Sequence, residues 1–257
     1  MASTECTKHA NRPELSTGPC SRFFDFDEEI SEFFIFFISW TRRPDKMYED
    51  LVKLAYEEEP ERLKELLAEP KTGEANIRRF ARFVCEMMLV RGTDNFLTYV
   101  SELLALIFTT RPETLRSAET VKLEEILEYA TMDDLVKRLA ERRVERLSYQ
   151  GMKDLQKDLA EKLSFEIFPS SEPFSRAIRI IEIRNLLVHN RGITNRTFQV
   201  RTGDSSLAIG SLFELRPRAL ISDLNFLAKS VLDIDERAAL KFGLARSKSE
   251  RKGRKKV

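Results

Sequence analysis

Arg184, Asn185, His189, Asn190 and Arg191 stand in close succession within AIRIIEIRNLLVHNRG, the stretch from Ala177 to Gly192. Histidine is the side chain that changes charge near neutral pH and can move a proton there. Arginine keeps its charge and presents a planar fork of donors to oxyanions. Written on a helix at about 100° per residue, Asn185 and His189 fall one turn apart on one face, with Glu182 close to it. Arg184 falls roughly 140° from His189, so the two converge only through a bent guanidinium or a helix loosened towards Gly192. Ile178, Ile180, Ile181, Ile183, Leu186, Leu187 and Val188 surround the polar residues, which predicts a helix buried on several sides. The same residues also admit a structural reading, with Arg184 paired to Glu182 or another carboxylate and His189 binding late carbonyls of its own helix.

Other chemistries find little support. The chain holds no GxxxxGK[ST] loop, no GxGxxG after a strand, no HExxH and no CxxC. Its histidines are two, His9 and His189, which poorly supplies a metal site, and neither metal nor cofactor is expected. Cys6, Cys20 and Cys85 are odd in number and far apart, pointing to a reducing compartment rather than a disulfide framework. The 43 basic and 42 acidic residues nearly cancel, so no partner is favoured by the global field. FFIFFISW, Phe33 to Trp40, is too short to span a bilayer, and no secretory signal opens the chain; a cytoplasmic location is expected.

The elements that must position these residues are mostly helical. Residues 1–21 are expected to form a flexible leader and residues 22–73 an aromatic-rich N-terminal helical extension, in which pattern does not separate helix from strand between Phe23 and Trp40. Met47 to Ala55 and Leu63 to Leu67 have helical spacing, and KTGEAN, Lys71 to Asn76, is expected to be a hinge. One helix is predicted over Ile77 to Val90, stopped by Arg91 and Gly92. Thr93 or Asp94 is then expected to cap a second, carrying Phe96, Val100, Leu103, Leu104, Ile107 and Phe108. A short helix near Leu123 to Tyr129, a helix opened by Thr131 and Asp134, and one from Met152 to Leu163 lead to the Ala177 segment, whose helix starts near Glu172 and Pro173. RTFQVRTGDSSLAIGSLFEL is expected to make a small hairpin about Gly203 and Asp204, before a last helix opened by Pro217. Residues 244–257, with seven lysines and arginines against Glu250, are expected to be a disordered basic tail, either phosphate-binding or merely solubilising.

RNLLVHN, Arg184 to Asn190, in a chain otherwise made of helices, resembles the signature of the HEPN (higher eukaryotes and prokaryotes nucleotide-binding) superfamily: Arg, a polar residue, apolar positions, then His after four intervening residues. The resemblance covers residues 75 to 242. It implies an all-α, HEPN-like helical bundle over residues 74–243, here with the N-terminal helical extension and a small β-hairpin insertion before the last helix. It implies a metal-independent endoribonuclease working as a symmetric homodimer through the Ala177 to Gly192 helix, cleaving RNA by attack of a 2'-hydroxyl to leave 2',3'-cyclic phosphate and 5'-hydroxyl ends. Arg184, Asn185 and His189 would be catalytic, while Asn190 and Arg191 would contact RNA. A toxin or antiviral role, with an antitoxin or regulatory protein as partner, is what many members suggest. Some members do not cleave, so a dimeric binding module for protein or nucleic acid is the alternative.

Overall fold

The computed structural model describes residues 11–248 except 43, 69–72, 116–120, 122 and 150. It is all-α. The helices are α1 (Gly18–Arg42), α2 (Pro44–Ala55), α3 (Pro60–Ala68), α4 (Gly73–Thr110), α5 (Leu123–Leu127), α6 (Met132–Tyr149), α7 (Met152–Leu163), α8 (Ser171–Asn190), α9 (Arg196–Thr202) and α10 (Pro217–Phe242), with a 3-10 turn at Pro112–Leu115. A two-stranded antiparallel ladder joins β1 (Leu15–Ser16) to β2 (Ser247–Lys248).

Helix α4 is the axis of the bundle, packing against α1, α6, α8 and α10. It runs through Arg91 and Gly92, where the sequence predicts a stop, because Gly92 serves a helix crossing: a Cβ there would lie 2.2 Å from Leu224 Cδ2 of α10. A glycine inside a helix costs about 1 kcal/mol relative to alanine, a cost that the close approach of α10 offsets. Thr93 is not a cap either; its hydroxyl donates to the Leu89 carbonyl one turn back, at 2.8 Å. The expected hinge at 71–76 is likewise replaced: residues 73–76 are the first turn of α4, and 71–72 lie outside the described residues.

The flexible leader expected over residues 1–21 is not found in its described part. Thr17 caps α1, accepting from the Cys20 N–H at 3.4 Å, and its own N–H donates to Asp235 of α10 at 3.1 Å, with a further bond from its hydroxyl to that carboxylate. Arg12 reaches Asp25 at 2.7 Å, while residues 1–10 lie outside the described set. Nor is α1 an appendage: Cys20, Phe23, Phe24 and Ile30 form a buried stripe within the main core, and the Asn95 amide of α4 donates to the Phe23 carbonyl at 3.0 Å. The side chain of Trp40 lies outside the described residues. Helix α2 buries Val52, and α3 buries nothing, so those two alone keep the character of an extension.

Antiparallel pairing does occur before the last helix, as a bridge between Ile193 and Leu212. Residues around Gly203 are not strand, however: Asn195 accepts from the Phe198 N–H at 2.8 Å and starts α9, which Gly203 ends with φ +72°. The start of the expected disordered tail is also held, with Leu244 buried and Arg246 donating to the Leu15 carbonyl at 2.7 Å; residues 249–257 lie outside the described set.

Candidate functional site

Helix α8 buries Ala177, Ile178, Ile180, Ile181, Ile183 and Leu186 against its own bundle. Val188 departs from the expected burial, being 46% exposed in the last turn. The helix ends where Arg191 adopts a left-handed φ of +52° and the N–H groups of Arg191 and Gly192 both turn back to the Leu186 carbonyl. His189 takes no part in that closure, in contrast to the structural reading of it.

Arg184 and His189 do not converge within the chain. Arg184 turns toward α4, donating from Nε to Asp94 Oδ1 at 2.8 Å and from Nη1 to Asn185 Oδ1 at 3.2 Å. Both partners of the ion pair are half-buried, which favours a maintained contact over the loose pairing of exposed charges. Glu182 is engaged elsewhere, by Arg201 of α9 at 3.2 Å. The His189 side chain is exposed and makes no hydrogen bond among the described residues. The Asn190 amide donates to the Ile193 carbonyl, shaping the chain beyond the helix, and Arg191 is exposed.

Two residues here were not legible as site members. Asp94 was expected to be a cap because Gly92 looked like a break; with α4 continuous, Asp94 instead faces α8. Arg82, also on α4, has Nη2 3.6 Å from the place where a Cβ of Gly192 would begin, so a further arginine joins His189 and Arg191 at this end of α8. Its Nε pairs with Glu86 at 2.6 Å. No local pattern reports such a contact, since it depends on how α4 and α8 cross.

Beside Arg184 and Asn185 a cavity of about 470 Å³ opens between α4 and α8, lined also by Gly151, Met152 and Leu155. His189, Asn190 and Arg191 do not line it.

Cys20 and Cys85 are poor nucleophiles. Burial, then the charge of Asp235, pushes the Cys20 thiol far above its ordinary range, and burial followed by Glu86 raises Cys85. Among the described residues no three His, Cys, Asp or Glu side chains gather into a group able to hold a metal ion, and no helix is long and apolar enough to cross a membrane. Comparison with protein-family models, with curated proteins and with solved structures gives no match to this chain.

Proposed function

We propose that the end of α8 is the site of a metal-independent endoribonuclease of HEPN type. The observation that carries this reading is the presentation of Arg184: Nε and Nη1 are held by Asp94 and Asn185, and Nη2 has no acceptor among the described residues, while His189 stands exposed five residues on. An arginine fixed in this way meets a phosphorane oxygen without reorganising. His189 takes the proton of the attacking 2'-hydroxyl or returns one to the leaving 5'-oxygen, a contribution typically worth about 10² to 10⁴ in rate. The RNA backbone is held by Arg191 and Arg82, with Asn190 setting the loop that carries Arg191.

Dimerisation belongs to the same proposal, in a narrowed form. The apolar sides of α8 are consumed by its own bundle, so a two-fold contact uses the last turn, with Val188 and Ile193, and brings the partner's histidine toward Arg184. A cytoplasmic toxin or antiviral effector answering to a regulatory protein fits such an enzyme.

Incubation of the protein with single-stranded RNA in EDTA tests the reading. Cleavage to cyclic-phosphate ends is expected, lost in His189→Ala and in Arg184→Ala. Absence of cleavage by wild type across varied RNAs sinks it and favours the second reading, a binding module. That alternative draws on the apolar residues left exposed along α1, α2 and α4, among them Phe33, Leu54 and Phe83 at 45%, 75% and 58%.

A further inference from the structure

The cavity beside Arg184 takes its form from helical periodicity. Leu97, Val100, Ser101 and Leu104 succeed one another at spacings of three, one and three on α4, and Ile178, Ile181, Glu182 and Asn185 do so at three, one and three on α8. Each set is one stripe of its helix, and both stripes line the same space. Val100, Leu104, Ile178 and Ile181 give both walls an apolar surface. The volume, about 470 Å³, is that of an ordinary small-ligand pocket.

The polar lining selects among ligands. Arg201 pairs with Glu182 and Arg184 with Asp94, while Lys153, whose ammonium donates to the Arg201 carbonyl at 3.2 Å, and Asp154 add one charge of each sign to the lining. Lining charges of both signs do not favour an anion over a neutral group in the body of the cavity, while Arg184 keeps Nη2 for a phosphate. A flat, uncharged ring gains contact with both walls, and its edge finds donors and acceptors: Asn185 gives its Oδ1 to Arg184 and keeps its amide N–H groups.

We propose that this cavity receives one nucleobase of a single-stranded RNA, turned out of the stack, while the phosphate attached to it lies toward Arg184 and His189. Asn185, at the cavity, and His189 are one turn apart, about 6 Å along the axis, so base and phosphate of one nucleotide reach both. Single strands are read in this manner, through splayed bases whose faces pack on side chains and whose edges are hydrogen-bonded. The inference rests on the ribonuclease reading and adds to it a base preference.

The test maps cyclic-phosphate ends on a randomised single-stranded RNA with wild type and with Ile181→Trp and Met152→Trp, which enlarge two lining side chains to fill the cavity. Thermal melting checks that each variant is folded. In parallel, the methyl resonances of Val100, Leu104, Ile178 and Ile181 in wild type are followed during titration with an uncleavable 2'-deoxy oligonucleotide and with an abasic one. The expected result is a preference for one base of about tenfold or more, lost in the filled variants. Methyl shifts are expected with the base-bearing oligonucleotide alone. Cleavage without base preference, or with a preference that the filled variants keep, overturns the pocket and leaves the ribonuclease standing. Base-dependent methyl shifts without cleavage keep the pocket and overturn the enzyme. Neither shifts nor cleavage overturns both.

Discussion

Arg184 carries a fixed charge whose direction is set by Asp94, a residue ninety positions earlier in the chain. In the ribonuclease proposed above, Asp94 would act only through the guanidinium, as a positioning residue. In Asp94→Ala the fork loses its anchor, and kcat is expected to fall about 10²-fold, as when a catalytic group is displaced by roughly 1 Å, with KM changing much less. Asp94→Asn keeps an acceptor and is expected to recover part of the rate; an equal loss of kcat and rise of KM in both variants, measured on a fluorogenic RNA, would speak against positioning. The polar members on α8 were legible because their spacing and apolar setting stand out in the sequence. Asp94 was not, since a carboxylate after an apparent helix break is the ordinary appearance of a cap. Arg82 was hidden for a different reason: one arginine among many on an amphipathic helix carries no mark of the neighbour it meets.

At the scale of elements, the joint between α4 and α10 explains why one long helix was read as two. Leu224 occupies the space that a side chain on Gly92 would need. Gly92→Val is expected to destabilise the fold by about 1–3 kcal/mol through overpacking, measured by urea denaturation. Combining it with Leu224→Ala should return part of that loss, and strict additivity of the two changes would mean that they do not share the contact. Helix periodicity located α6, α7, α8 and α10 well, and the Thr131–Asp134 signal is realised, with the Asp134 N–H donating to the Thr131 hydroxyl at 3.2 Å. Arg196–Thr202 was misread as strand because TFQV has β-prone residues, whereas the Asn195 cap and Gly203 stop enclose one short helix. Both signals were present in the letters; local β-propensity outweighed them.

Across the whole molecule, α1 carries a buried acid with a measurable signature. Burial, and secondarily the charge of Glu28, raises the Asp27 carboxyl from an ordinary 3.8 to about 6. Between those values the folded chain binds more protons than the unfolded one, so stability is greatest below pH 3.8 as far as this group is concerned and declines as pH rises to about 6. The loss by neutral pH is on the order of 3 kcal/mol. Asp27→Asn should abolish that slope and be more stable than wild type at pH 7, the gap in melting temperature widening from pH 4 to pH 6 and then holding constant. A gap that is the same at all pH values would show that Asp27 ionises in the fold as it does in the open chain. A second test concerns the cap of α1: Thr17→Val withdraws a hydroxyl from the buried Asp235 carboxylate and should cost about 1–3 kcal/mol by the same denaturation measurement.

The bond between Thr17 and Asp235 also sets a clock. The two residues are separated by 218 positions, and at roughly 5–20 residues per second a ribosome needs about 10–45 s to add them. Helix α1 can find α4 soon after residue 110 has emerged, bringing Phe23 against Tyr99. Its first turn has no buried carboxylate to bind until α10 is made, nor has β1 a strand to pair with until Ser247 and Lys248 follow. The nascent protein therefore waits with a docked first helix whose capping Thr17 still lacks Asp235, and α10, made much later, supplies it.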